Sequence, residues 1–484
     1  MTSNNDKTEV DQIILDQSIA TTTTNHESEE VDSKIQLNHR QLDNNKDNTN
    51  NSISTNEREE TKKKFAEPSV HQGLMAIIKS SWVNPLIIFV PFGIASHFVW
   101  SPTITFILNF IAIIPLAKLL GFATEDISLR TGEVIGGLLN ATFGNAVELI
   151  ISVMALVKNL VVVVQSSMLG SILSNLLLVL GMCFFFGGYN YKEQTFNVTA
   201  AQTSASLLFI STASLLLPAA FYGSTYGSEN KNVVNSDILI ISRATSIILL
   251  VIYISYLWFQ LKTHQHLFLE EAYLEERRPT QHAIEPENEV ELQNNDGREV
   301  EEEEEEETPQ LPFWMAILLL LIITALVAVC AEFLVDAIEA VVEQWHISQT
   351  FVGLILLPIV GNAAEHVTAI TVAMKNKMDL ALGVAVGSSM QIALLVTPIM
   401  VIIGWGIDVE MSLYFNIYET AVLFIAVVMV NYLIMDGKSN WLEGLMLFAI
   451  YIIIAISFYY YPDTASGQIA ENASNTTSAI VANH

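Results

Sequence analysis

The five-residue frame Gly-Asn-Ala-x-Glu occurs twice within apolar stretches of this chain, as Gly144-Asn145-Ala146-Val147-Glu148 and, 217 residues later, as Gly361-Asn362-Ala363-Ala364-Glu365. A carboxylate at bilayer depth is disfavoured by roughly 3 kcal/mol or more, so it is a functional-site hypothesis by default. Within a helix, Asn and Glu three positions apart project from one face. Glu148 and Glu365 then offer anionic oxygens, and Asn145 and Asn362 neutral amide oxygens. Such donors suit hard divalent cations, and calcium takes about six to eight of them in flexible geometry. No Cys or Met pair stands beside them, which argues against copper and structural zinc, whereas manganese accepts the same oxygens. The implied ions are cargo, and no cofactor is expected.

The same carboxylates can exchange one cation for another. Burial favours the protonated carboxyl group and a bound cation favours the ionised one, so calcium and protons compete at a single site. His366 follows the second glutamate only, Leu149 being its counterpart, and is assigned a proton-linked role. Downstream of each frame stands a polar set, Gly170-Ser171-Ile172-Leu173-Ser174-Asn175 and Gly387-Ser388-Ser389-Met390-Gln391. Ser171, Asn175, Ser388 and Gln391 are expected to complete the ion's oxygen shell or to bond the glutamates. Gly144 and Gly361 allow helices to approach closely. Pro358 has no N–H to offer the Leu354 carbonyl one turn earlier, and such freed carbonyls are candidate cation ligands in broken membrane helices. Glu133 and Glu332 are candidates for the access route. Asp336 and Glu339 are read as a solvated helix end.

These residues need membrane helices to hold them. The 484 residues are 51% hydrophobic with a mean hydropathy of +0.42, and several runs exceed the roughly 20 residues that cross a bilayer. The formal charge of −29 lies mostly in polar stretches and says little about the folded core. No basic strip supports nucleic-acid binding. Cys183 and Cys330 both fall in apolar segments, so no disulfide framework is expected. The polar beginning lacks the apolar core of a signal peptide.

Hydropathy predicts eleven spans, at 82–100, 103–121, 132–157, 161–187, 197–222, 236–261, 312–335, 348–374, 379–405, 413–435 and 440–461. Lys and Arg cluster on the side that holds Arg130, Lys192, Lys262, Lys375 and Lys438, whereas Lys158, Lys231 and Arg243 fall opposite. By the positive-inside rule the amino end is cytosolic, and an odd number of spans puts the carboxyl end on the other side. Laying 144–171 over 361–388 without a gap also matches Lys158 with Lys375, Asn159 with Asn376, Gly170 with Gly387 and Ser171 with Ser388. Corresponding segments lie five spans apart, so the copies run in opposite directions, an architecture that places a site at the midplane. The expected fold is an all-α membrane protein of 11 transmembrane helices, one extra N-terminal helix plus two inverted five-helix repeats. Its parts are a disordered cytosolic tail (1–75), the extra helix (76–101), a first repeat (102–262), an acidic cytosolic loop (263–311), a second repeat (312–461) and a luminal tail (462–484). The run Glu301, Glu302, Glu303, Glu304, Glu305, Glu306 and Glu307 is a solvated linker or, more sharply, a regulatory calcium sensor. It lacks EF-hand loop geometry.

The segment Gly137-Leu138-Leu139-Asn140-Ala141-Thr142-Phe143-Gly144-Asn145-Ala146-Val147-Glu148-Leu149-Ile150 resembles the first signature of the cation/proton exchanger family, most closely the fungal vacuolar calcium–proton exchangers. Gly361 to His366, Lys375-Asn376-Lys377-Met378-Asp379-Leu380 and Gly387 to Ile392 resemble the second. The likeness covers about residues 75 to 461. It implies an eleven-helix antiporter that moves calcium from the cytosol into an acidic vacuole in exchange for protons, with Glu148 and Glu365 as central ligands. The partners implied are Ca2+, H+ and membrane lipid, with self-association into a homo-oligomer left open. A sodium- or potassium-driven exchanger is the alternative, and a passive channel or membrane sensor a more distant one. No Ser-His or Asp pair at membrane depth suggests an enzyme.

Overall fold

A computed structural model describes residues 68–225, 231–264 and 308–461. The expectations for the amino tail before residue 68, for Glu301 to Glu307 and for the tail after residue 461 fall outside the described residues.

Apolar runs favour elements that satisfy their own backbone, and in lipid these are helices. In chain order they are α1 Val70–Lys79, α2 Phe89–Val99, α3 Pro102–Thr131, α4 Glu133–Phe143, α5 Ala146–Val157, α6 Val161–Asn190, α7 Val198–Thr225 and α8 Lys231–Trp258. There follow α9 Phe313–Asp336, α10 Ile338–Trp345, α11 Gln349–Gly361, α12 Ala363–Met374, α13 Met378–Gly406, α14 Ile417–Leu433 and α15 Trp441–Tyr459. The starts follow from local chemistry. Ser69 with Gln72, Asn416 with Glu419 and Asn440 with Glu443 form capping boxes at α1, α14 and α15. Pro102 occupies the first turn of α3, where a missing N–H costs nothing. One antiparallel pair of two-residue strands, Gln194–Thr195 with Lys438–Ser439, ties the chain near the ends of α6 and α14.

Among the described residues eight helices are long and apolar enough to cross a membrane, or ten if two bent pairs each count as one span. The expected eleven is therefore not reached by length and composition. The segment 132–157 forms two short helices, α4 and α5, parted at Gly144 and Asn145. The segment 348–374 bends by 58° between α11 and α12. Residues 70–75, assigned to the tail from sequence, belong to α1, which meets the following span at 97°.

The repeat survives in backbone detail. Asn145 and Asn362 stand at the two breaks with φ −99° and −93°. Asn159 and Asn376 close α5 and α12 in the left-handed region, both at φ 61°, a conformation that Asn tolerates better than most residues. The copies run oppositely. Lys158 ends α5 beside Asp336, the last residue of α9, at 2.8 Å. Asn376 ends α12 beside Gln194 at 3.1 Å, at the other end of the bundle. The most buried spans are α6 and α13, 78% and 67% buried against 22% for α9. These two helices carry the downstream polar sets.

Candidate functional site

Each break sets a glutamate in the first turn of the helix that follows, Glu148 in α5 and Glu365 in α12. Helix N-termini favour negative charge. The glycines of the frames receive the opposite carboxylates. A Cβ on Gly361 would stand 2.7 Å from Glu148 Oε1, and one on Gly144 would stand 4.0 Å from Glu365 Oε1. The two repeats thus cross glycine to glutamate and bring both acids to one centre, Glu148 buried and Glu365 half-buried at the wall of a cavity.

The shell around this centre is asymmetric. The Ser388 hydroxyl lies 2.9 Å from Glu365 Oε2 and 3.3 Å from Asn145 Oδ1, able to donate to either. Asn145 Nδ2 donates to Gln391 Oε1 at 2.6 Å. In the other half, Glu148 Oε2 and both amide atoms of Asn362 and Asn175 are buried with no hydrogen-bond partner. Leaving so many polar atoms unsatisfied costs about 1–3 kcal/mol each, and such groups call for an ion or another role. Their oxygens fit a hard cation. No group of three or more His, Cys, Asp or Glu gathers among the described residues, so the donor set is two carboxylates with amide and hydroxyl oxygens.

Most of the predicted site residues converge here: Glu148, Glu365, Asn145, Asn362, Ser388 and Gln391, while Asn175 is buried on α6 with its amide unpartnered. Ser171 is buried on α6 with them. His366 is buried beside the centre, and its Nε2 lies 3.4 Å from Ser174 Oγ, against α6. Two other candidates lie apart from this shell. Glu332 is exposed on α9 near Lys158, away from the centre. The Leu354 carbonyl lies where a Cβ on Gly170 would be, at 2.2 Å, so it serves a close crossing of α11 on α6. Glu133 opens α4, and its side chain is outside the described residues. Asp126 ties α3 to the start of the second half, accepting from Leu311 N at 3.0 Å and pairing with Arg130 at 3.4 Å. Lys158 gains a proton affinity above the ordinary lysine range from its hydrogen bond to Asp336.

Sequence reasoning missed two groups. Ser152 is buried, its hydroxyl has no partner, and it stands one turn beyond Glu148, a spacing that shares a face. A cavity of about 470 Å³ reaches the centre, lined by Lys118, Thr124 and Glu125 of α3, Asn140 of α4, Gln260 beyond α8, and Glu365, Thr368, Ser388 and Gln391. Its lining runs from Glu365, Ser388 and Gln391 to Glu125 and Gln260, near the ends of α3 and α8. A second cavity, of about 540 Å³ beside Tyr189, Lys192 and Trp441, touches none of the motif residues.

Comparison with known proteins adds four observations. The family described as sodium/calcium exchanger protein matches residues 101–262 and 315–460. The chain is 48% identical over 388 residues to the vacuolar calcium ion transporter of Schizosaccharomyces pombe, covering 80% of this chain and 87% of that one. It is 43% identical over 385 residues to the Ca(2+)/H(+) antiporter of Synechocystis, covering 79% and 98%. The solved structure of the Ca2+/H+ antiporter protein YfkE superposes with a TM-score of 0.60 at 34% identity, covering 78% of this chain and 99% of that one.

Proposed function

Because the chain belongs to the sodium/calcium exchanger family, we propose that it is a proton-driven calcium antiporter that moves Ca2+ from the cytosol into an acidic vacuole. The observation that carries this reading is the pair of Glu148, buried, and Glu365, half-buried, drawn from oppositely directed repeats and crossed onto Gly361 and Gly144. Two carboxylates can hold one divalent cation or two protons with the same neutral outcome, and a low-dielectric centre penalises any state in between. The unpartnered oxygens of Glu148, Asn362 and Asn175 supply further donors for calcium, whose shell is large and flexible. Ser388 and Gln391 hold Glu365 and Asn145 in place from α13.

The cavity is lined by Glu125 and Gln260 near the ends of α3 and α8, the side that the Lys and Arg distribution favours as cytosolic. In this conformation calcium enters from the cytosol, displaces protons, and passes to the lumen when the repeats exchange their packing. Each proton moved down one pH unit supplies about 1.4 kcal/mol. Two protons across two units would support a calcium gradient of about 10⁴-fold. Vacuolar placement is supported by the fungal relative.

The test is calcium uptake by proteoliposomes with an acidic interior and no sodium. Uptake that collapses with a proton ionophore is expected. Uptake that appears only when sodium or potassium is supplied would move the chain to the alkali-driven exchangers.

A further inference from the structure

We propose that Lys118 is a fixed positive charge that sets the cation affinity of the cytosol-facing site, an inference that rests on the exchanger reading above. Lys118 belongs to α3 and lines the same cavity as Glu365. Its Nζ donates to Thr368 Oγ1 at 3.1 Å. That hydroxyl is already committed as a donor to Ala364 O at 3.0 Å, so it faces the ammonium with its lone pairs. Thr368 stands three residues after Glu365 in α12, on one face with it. The bond therefore holds the ammonium about one helical turn from the carboxylate. The charged residues lining the cavity are Lys118, Glu125 and Glu365. A cation drawn in past Glu125 meets one like charge before the carboxylate that binds it.

A lysine in this position opposes the purpose of a cation site, so its effect has a clear sign. It weakens the hold on any cation at the cytosolic approach and keeps calcium exchangeable there. Repulsion between a unit and a double charge at about 8 Å, in a cavity with an effective dielectric of about 40–80, alters affinity by about five- to thirty-fold. Added salt reduces the effect.

The experiment compares wild type, Lys118→Met, Lys118→Arg and Thr368→Val in acid-interior proteoliposomes at mildly alkaline external pH, reading initial uptake against calcium at low and high choline chloride. Lys118→Met is expected to lower the calcium KM by about five- to thirty-fold, with a smaller change in kcat and a gap that narrows as salt rises. Lys118→Arg should restore the wild-type KM. Thr368→Val, which removes the tether and keeps the charge, should shift KM far less than Lys118→Met. An unchanged or raised KM in Lys118→Met, or equal shifts in Lys118→Met and Thr368→Val, would overturn the proposal. Should Lys118→Met not accumulate, Lys118→Gln carries the same expectation. Should wild type itself fail to transport calcium on a proton gradient, the exchanger reading falls. Equilibrium binding of radioactive calcium to the purified proteins then decides the role of Lys118, with tighter binding by the neutral variants supporting it and equal binding overturning it.

Discussion

Gly361 and Glu148 sit in different repeats, yet each determines where the other can be. The carboxylate occupies the space that a side chain at 361 would need, with only 2.7 Å between Glu148 Oε1 and the missing Cβ. Gly361→Ala must therefore displace the acid from the centre. Calcium uptake should fall at least about tenfold, a loss of transition-state or ground-state binding of about 1.4 kcal/mol or more. Uptake within twofold of wild type would show that the carboxylate has another resting place. The acids, the amides and the serines of this centre were visible in the sequence because type and spacing survive in a linear string. The crossing of Gly361 with Glu148 was not, since it joins two repeats through space. Ser152 was within reach of the helical spacing rule, one turn from Glu148. Glu332, an acid inside an apolar run, lies on an exposed face of α9.

At the scale of helices, the two polar sets differ in how tightly they are packed. Gly170 in α6 admits the backbone of α11, whose Leu354 oxygen would lie 2.2 Å from a Cβ there. Its counterpart Gly387 in α13 has nothing within 4 Å of the same atom. Gly170→Ala should destabilise the protein by about 1–3 kcal/mol through overpacking, or prevent its accumulation. Gly387→Ala should be neutral or stabilising by about 0.4–1 kcal/mol, since it lowers unfolded-chain entropy in a helix with room for a methyl group. Thermal melting in detergent separates them, and equal melting temperatures would contradict the close crossing. Hydropathy placed the apolar segments but ran 132–157 and 348–374 through as continuous helices. Apolar periodicity does not register a break made by one residue, and Asn145 and Asn362 make it with φ near the edge of the helical range. Likewise α1 escaped notice because ten amphipathic residues beside a polar tail carry too little hydropathy to stand out, though Ser69 and Gln72 spell a capping box.

For the molecule as a whole, two inverted repeats share one centre, and a cavity lined by both repeats reaches it. The repeats are related closely enough to place Asn159 and Asn376 at the same φ, yet their polar shells differ. The half built on Asn145, Ser388 and Gln391 is bonded, and the half built on Asn362 and Asn175 is not. Sequence symmetry predicted the pairing of halves, and no linear pattern encodes which half is satisfied in a given conformation. If the centre is a single site that trades calcium for protons, neither carboxylate can be spared. The most direct measurement follows calcium uptake and coupled proton release together in proteoliposomes that hold Glu148→Gln or Glu365→Gln. Both variants keep side-chain volume and lose one charge, and each is predicted to abolish both fluxes. Normal proton-coupled calcium uptake by either one would contradict the account.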